Sequence, residues 1–286
     1  MSISYIIAMR NEEAISVNLK DCFATLCFHR DDDNTLYLLH NTLYFYMKIA
    51  LLGYGKMGRE IEKIALERKH QVVLKISDQN LDELTAQNLS KADVAIEFST
   101  PETAPDNIYK CFNANIPVVV GTTGWLQQLP EIKSACTDQN QALLYSSNFS
   151  VGVNLFFELN KRLAQLMNNH ATYDVIIKEI HHVHKKDAPS GTAISIANDI
   201  INNLERKSRW INQTSANDAD LTIHSVREDN VPGTHSVKYS SAIDDIEIIH
   251  TAHNRTGFAL GAVIAAEWLA GKKGVFGMTD VLSERN

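Results

Sequence analysis

From Met47 onward, apolar residues alternate between short unbroken runs and stripes with helical spacing. Ile49–Leu52 predicts a strand, and the segment from about Met57 to Arg68 a helix. Val72–Ile76, residues 93–98, residues 117–120 and Ala142–Tyr145 predict four more strands, with a helix from about Ala104 to Asn115 among them. Runs without polar alternation suit strands buried on both faces, so the order predicts a parallel sheet with helices on either side. The pattern changes after Asn148. Gly152 to Met167 carries Val153, Phe156, Phe157, Leu159, Leu163 and Leu166 near helical spacing, and Tyr173–Ile180 reads as a strand. Ser190 to about Leu204 predicts a helix with Ala193, Ile194, Ala197, Ile200, Ile201 and Leu204 as its buried stripe. Strands at Leu221–Val226, Thr234–Ser240 and Ile246–Ala252 precede a closing helix from about Gly257 to Ala270. The expected fold is α/β: a doubly wound parallel sheet from residues 47–148 and 255–286, with an α+β domain inserted over 149–254.

Residues 1–46 lack this organisation and include an acidic triplet, Asp31 to Asp33. Met47 stands directly before the first strand. It is read as the functional start, and residues 1–46 as an upstream read-through or dispensable extension; a regulatory or oligomerisation segment is the alternative.

The 286 residues, 44% apolar and 21% charged, are those of an ordinary globular protein with ample core. A net charge of −7 argues against nucleic acid as a general partner. The N-terminus lacks the layout of a signal peptide, and His40, Asn41 and Lys48 interrupt the Leu36–Leu52 stretch, leaving it too short and polar to span a membrane. Cys22, Cys27, Cys111 and Cys136 show no zinc-type pairing and read as reduced thiols of a cytoplasmic protein.

Candidate chemistry lies in two places. Gly53-Tyr54-Gly55-Lys56-Met57-Gly58 is a complete G-x-G-x-x-G between a predicted strand and a predicted helix. Such glycines permit the tight turn, the backbone's approach to a pyrophosphate and close helix packing, which makes the sheet Rossmann-type. Asp78, near the end of the second strand, is placed to bind an adenosine ribose and favours NAD over NADP. Lys56 pulls the other way. NADH is the expected donor, with NADPH also usable. Gly121-Thr122-Thr123-Gly124 and Ser146-Ser147-Asn148-Phe149 follow the fourth and fifth strands, where cofactors lie in open α/β sheets. An ordinary turn is the alternative at each.

The second place is Glu179-Ile-His-His-Val-His-Lys-Lys-Asp-Ala-Pro-Ser-Gly-Thr-Ala193. Zinc held by His181, His182 and His184 is one reading, although adjacent strand residues face opposite ways and nothing downstream completes a shell. Surface histidines before a turn are another. The third is a site for a small dianion. Ser190 caps a helix whose Gly191 and Thr192 amides meet the anion, Lys185 adds a mobile cation, and a histidine supplies a proton near neutral pH. This reading accounts for most of the residues, and no metal is expected.

Over residues 47–286 the chain resembles the dihydrodipicolinate reductase (4-hydroxy-tetrahydrodipicolinate reductase) family. Residues 179–193 match its E-x-H-H-x-H-K-x-D-A-P-S-G-T-A signature, and Gly121–Gly124 and Asn148–Gly152 match two further blocks. The glycine turn is one residue shorter than the common form. The resemblance implies NAD(P)H-dependent reduction of a cyclic dicarboxylate with loss of water, in lysine and diaminopimelate biosynthesis. It implies His181 as proton donor with Lys185 as its partner, and His182, Lys185, Ser190, Gly191 and Thr192 as the grip on substrate carboxylates. Gly53 to Gly58, Asp78, Gly121 to Thr123 and Ser146 to Phe149 become cofactor contacts, and the inserted domain becomes the substrate-binding and oligomerisation domain of a homotetramer. A catalytically silent NAD(P)-binding sensor and another Rossmann-type reductase of a small dicarboxylate are the rivals. The Glu-Lys-Pro that marks sugar oxidoreductases is missing here.

Overall fold

The computed structural model describes residues 28–30, 36–38, 46–229, 231–254 and 256–283. The chain divides into two compact units, 1–45 and 46–286. In the first, β1 (Phe28–Arg30) pairs antiparallel with β2 (Leu36–Leu38). Of the rest of the predicted extension 1–46, Tyr46 falls in the second unit and the remaining residues lie outside the described ones.

The second unit opens with β3 (Lys48–Leu52), α1 (Lys56–Glu67), β4 (Gln71–Ile76), α2 (Ala86–Leu89), β5 (Val94–Glu97), α3 (Ala104–Asn113), β6 (Val118–Val120), α4 (Leu129–Asp138) and β7 (Ala142–Tyr145). With β13 (Gly274–Phe276) these strands form a six-stranded sheet in the order β13-β7-β6-β5-β3-β4, parallel at every pairing. Both faces are covered, which is why the strands read as unbroken apolar runs. Ile49 and Leu51 point into one core with α1 and α7 (Thr256–Leu269), while Ala50 and Leu52 point into the other with α2, α3 and α4. Helix α7 is apolar almost all round because it lies between this sheet and α1. The strand order reverses between β3 and β5, and the crevice at such a switch is where α/β sheets bind ligands.

The inserted domain carries α5 (Val151–Met167), β8 (Asp174–His181), α6 (Gly191–Asn203), β9 (Arg209–Ile211), β10 (Asp220–Arg227), β11 (Gly233–Ser240) and β12 (Asp245–Ala252), and α8 (Met278–Ser283) closes the described chain. The second sheet runs β12-β11-β8-β10-β9, antiparallel across β12, β11 and β8 and parallel from β8 to β10 and β9. Alternate residues Val175 and Ile177, Leu221 and Ile223, Val237 and Tyr239 face α5 and α6. Among the described residues no helix covers the opposite face, where Ile176 and Ile249 are exposed.

Every strand and helix expected from the sequence is present within a few residues of its predicted bounds. Seven of the elements described were not anticipated: β1, β2, α2, α4, β9, β13 and α8. β9 and β13 are three residues each and acquire strand character only by pairing with β10 and β7, so no local period announces them.

Candidate active site

The glycine turn is built for close approach. Gly53 has φ +98°, in the left-handed region that favours glycine, and the amides of Gly53 and Tyr54 donate to the Ile76 carbonyl at 3.0 and 2.8 Å. A Cβ at Gly53 would lie 2.0 Å from the Phe98 carbonyl oxygen, and one at Gly58 2.4 Å from that of Gly53. At Gly55 a Cβ would meet nothing within 4 Å. The middle glycine therefore opens onto free space at the start of α1, whose first turn has neither a side-chain cap nor an acidic residue. Unpaired helix amides facing open space suit a pyrophosphate.

Around this turn, Lys56 is exposed as the first residue of α1, and Asp78 is exposed two residues beyond β4. Asn80 shapes the backbone there, accepting from the Ser77 amide at 2.8 Å and donating to the Lys75 carbonyl at 2.9 Å. Met57 packs against the core. The Tyr54 hydroxyl donates to Glu62, and Lys75 Nζ lies 5.2 Å over the Tyr54 ring.

The loops after β6 and β7 divide into lining and support. Thr123, Ser147 and Asn148 border a cleft of about 670 Å³. Behind them Thr122 is buried, its hydroxyl accepting from the Ser99 amide at 2.8 Å. Gly121 packs directly on the Phe98 ring, which lies 5.7 Å from that of Phe149. Phe149 is 2% exposed, so its side chain belongs to the core. Ser146 donates to the Asn148 carbonyl at 2.7 Å and shapes the bend.

The same cleft is lined by His181, His182, Lys185, Ser190, Gly191 and Thr192, together with Gly233, His235 and His250. Glu179 and His181 are two apart on β8 and share one face, and both are buried. Strand β8 ends at His181, so His182 sits in the turn and reaches the cleft as well. The two histidines therefore do not face opposite ways as strand neighbours would, whereas His184 is not in the cleft lining. Strand register brings the neighbours: His235 pairs with Glu179 and Arg227 with His181. His184 and Lys186 are exposed and do not line the cleft.

Ser190 caps α6, its hydroxyl accepting from the Ala193 amide at 3.1 Å and lying 3.2 Å from His235 Nε2. The Ser190 amide donates to both Glu179 carboxylate oxygens at 3.1 Å. Lys185 Nζ stands 2.9 Å from Asp187. The Arg227 guanidinium donates to the Asp187 carbonyl at 2.6 Å and lies 3.5 Å from Glu179.

Burial pushes the His181 imidazolium down and Glu179 opposes it, but Lys185 and Arg227 add to the fall, and the net shift is below the usual histidine value. Burial, with His181 beside it, takes His235 to about 4. For Glu179 burial acts upward, but hydrogen bonds from Ser190 and Ser225 outweigh it and hold the carboxyl low. The result is a buried carboxylate beside two imidazoles whose pKa values are lowered, next to the N-terminus of α6.

Dihydrodipicolinate reductase family models match the chain twice, the N-terminal model over residues 47–149 and the C-terminal model over 152–282. The chain belongs to the dihydrodipicolinate reductase family. A 4-hydroxy-tetrahydrodipicolinate reductase of Christiangramia forsetii is 50% identical over 240 residues, covering 83% of this chain and 98% of that protein. One of Methanoculleus marisnigri is 37% identical over 199 residues, 68% and 77% of the two chains. The solved dipicolinate-bound dihydrodipicolinate reductase of Paenisporosarcina sp. TG-14 shares the fold with a TM-score of 0.67, at 23% identity over 82% of this chain and 98% of that one.

Sequence reasoning assigned no role to Glu179, Arg227, Gly233, His235 or His250. Glu179 stood inside the signature, two residues before His181, and that spacing on a strand was the available signal. The other four reach the site only through pairing of β8 with β10 and β11, and of β11 with β12.

Proposed function

We propose that this chain reduces 4-hydroxy-tetrahydrodipicolinate to tetrahydrodipicolinate, releasing water, with His181 as proton donor. The observation that carries the reading is one cleft that joins His181 and Lys185 to the Ser190-Gly191-Thr192 helix start on one side and Thr123, Ser147 and Asn148 on the other. A nicotinamide cofactor supplies the hydride when bound. The Gly53–Gly58 turn and the first turn of α1 are the groups that would hold its pyrophosphate, with Asp78 at the adenosine ribose. The reaction consumes one hydride and one proton and releases one water.

The chain's own residues do the rest. Amides at Gly191 and Thr192, with the α6 dipole behind them, donate to a substrate carboxylate, and Lys185 and His182 add charge-assisted contacts. A bound dicarboxylate brings negative charge to His181 and raises its pKa, opposing the burial that lowers it in the chain alone. His181 then carries a proton when the ring, having gained hydride, becomes electron-rich, and releases it there.

NADH is the preferred donor on the strength of Asp78, and Lys56 beside the glycine turn keeps NADPH usable. The uncovered face of the second sheet, with Ile176 and Ile249 exposed, is the surface through which a homotetramer assembles. Buried free thiols at Cys111 and Cys136 suit the cytoplasm. Among the described residues no helix is long and apolar enough to cross a membrane. The test is consumption of NADH and of NADPH by the full chain on freshly generated 4-hydroxy-tetrahydrodipicolinate. Turnover with a higher kcat/KM for NADH is expected; tight cofactor binding without turnover would identify a silent sensor instead.

A further inference from the structure

Glu179 has no exposed surface, yet its carboxylate meets four polar groups from four parts of the chain. The Ser190 amide at the start of α6 donates to both oxygens at 3.1 Å. His181 Nδ1, at the end of the same strand, is 3.4 Å away. His235 Nε2 on β11 lies at 3.7 Å and Arg227 on β10 at 3.5 Å. His181 Nδ1 is buried with no hydrogen-bond partner of its own among the described residues, so Glu179 is the acceptor nearest to it. The other ring nitrogen points the opposite way: Nε2 lies 3.1 Å from where a Gly233 Cβ would stand, on the cleft wall.

We propose that Glu179 is a positioning residue for the reduction, holding His181 with Nδ1 inward and Nε2 on the cleft while it fixes the Ser190 amide of the anion cradle. The inference rests on the reading of His181 as proton donor. One buried anion ties donor and cradle together, so their separation is set by the protein and not by the substrate. A carboxylate accepts Nδ1–H and stabilises the imidazolium, whereas a neutral amide can do the first and not the second. Arg227 acts in the opposite electrostatic sense. It also fixes the turn that carries Lys185, by its bond to the Asp187 carbonyl.

The groups facing His181 are Glu179 on its own strand, Arg227 on β10, His235 on β11 with His250 beyond it on β12, and Lys185 and Asp187 in the following turn. Glu179, His181 and His235 also have mutual spacing within 4.8 Å that could seat a cation. Two adjacent cations and the Ser190 amide already bound to the carboxylate favour the positioning role instead.

The test is the pH dependence of kcat/KM in the full chain carrying Glu179→Gln, Arg227→Gln or His181→Gln. Loss of the Glu179 charge destabilises the protonated donor, so the basic limb should move to lower pH by about one unit, with kcat lowered. KM for the nicotinamide cofactor should stay within about twofold, since the glycine turn is untouched. Loss of Arg227 should move the limb the other way. Arg227 is partly exposed, so this variant decides the matter even where Glu179→Gln fails to fold. A limb that stays in place in both variants, or moves downward in Arg227→Gln, would overturn the proposal. Stabilisation of the wild type by zinc that Glu179→Gln removes would overturn it too, in favour of a metal seat. A limb that persists in His181→Gln would instead refute the donor assignment beneath it.

Discussion

Gly233→Ala places one methyl group against the proposed proton donor. Gly233 opens β11 and its backbone is not left-handed, so alanine is tolerated by the main chain. The added Cβ would lie 3.1 Å from His181 Nε2, 3.3 Å from its Cδ2 and 4.0 Å from His235 Cε1. Ordinary carbon contacts begin near ~3.5 Å, so the imidazole must yield by a few tenths of an ångström. It has little room to do so. His235 packs edge-on with ring centres 5.0 Å apart, and Glu179, pinned by the Ser190 amide, lies 3.4 Å beyond Nδ1. A misplacement of ~1 Å costs about 10²-fold in rate, so on a logarithmic scale a shift of ~0.3 Å costs roughly fourfold. The methyl also covers part of Nε2, which brings the expected loss in kcat to about tenfold. Folding should change little, because the entropic gain of Gly→Ala, about 0.4–1 kcal/mol, opposes the strain. The assay is steady-state reduction with thermal denaturation alongside. Unchanged kcat, or an effect confined to cofactor KM, would show that His181 Nε2 does not face the reacting substrate.

Three further outcomes are expected. Lys185→Ala should lower kcat and raise the substrate KM together; a change in thermal stability alone would make the lysine structural. Asp199 on α6, raised to about 6 by burial with Lys161 opposing and Glu158 adding, is held above its unfolded value near 3.8. Its charge therefore costs stability that is missing above pH 6 and restored as pH falls below about 4. Asp199→Asn should raise Tm at pH 7.5 by about 2–4 °C, corresponding to roughly 1 kcal/mol after solvent screening, and the gain should vanish at pH 4. Deleting residues 1–46 should leave soluble, active protein, and loss of either would make the extension functional.

The fold was legible because its strands are buried on both faces. Ile49–Leu52 and Val118–Val120 cannot be read as amphipathic helices, and the glycine turn marks where the first strand stops. β13 escaped notice because Gly274, Val275 and Phe276 become a strand only beside β7. That His181, Lys185 and Ser190 to Thr192 share one cleft was legible because they fall within one short run of chain. Their supports were not. His235 and Arg227 lie on strands whose pairing with β8 no local pattern encodes. Phe149 shows the converse, since its place in the loop after β7 concealed a core side chain.

The central claim is that His181 delivers the proton, and single-turnover kinetics of His181→Gln test it most directly. Loss of a general acid costs about 10²–10⁴-fold, equivalent to roughly 3–5 kcal/mol in the barrier. The account predicts a loss in that range with cofactor affinity unchanged. Wild-type turnover in the variant would contradict it.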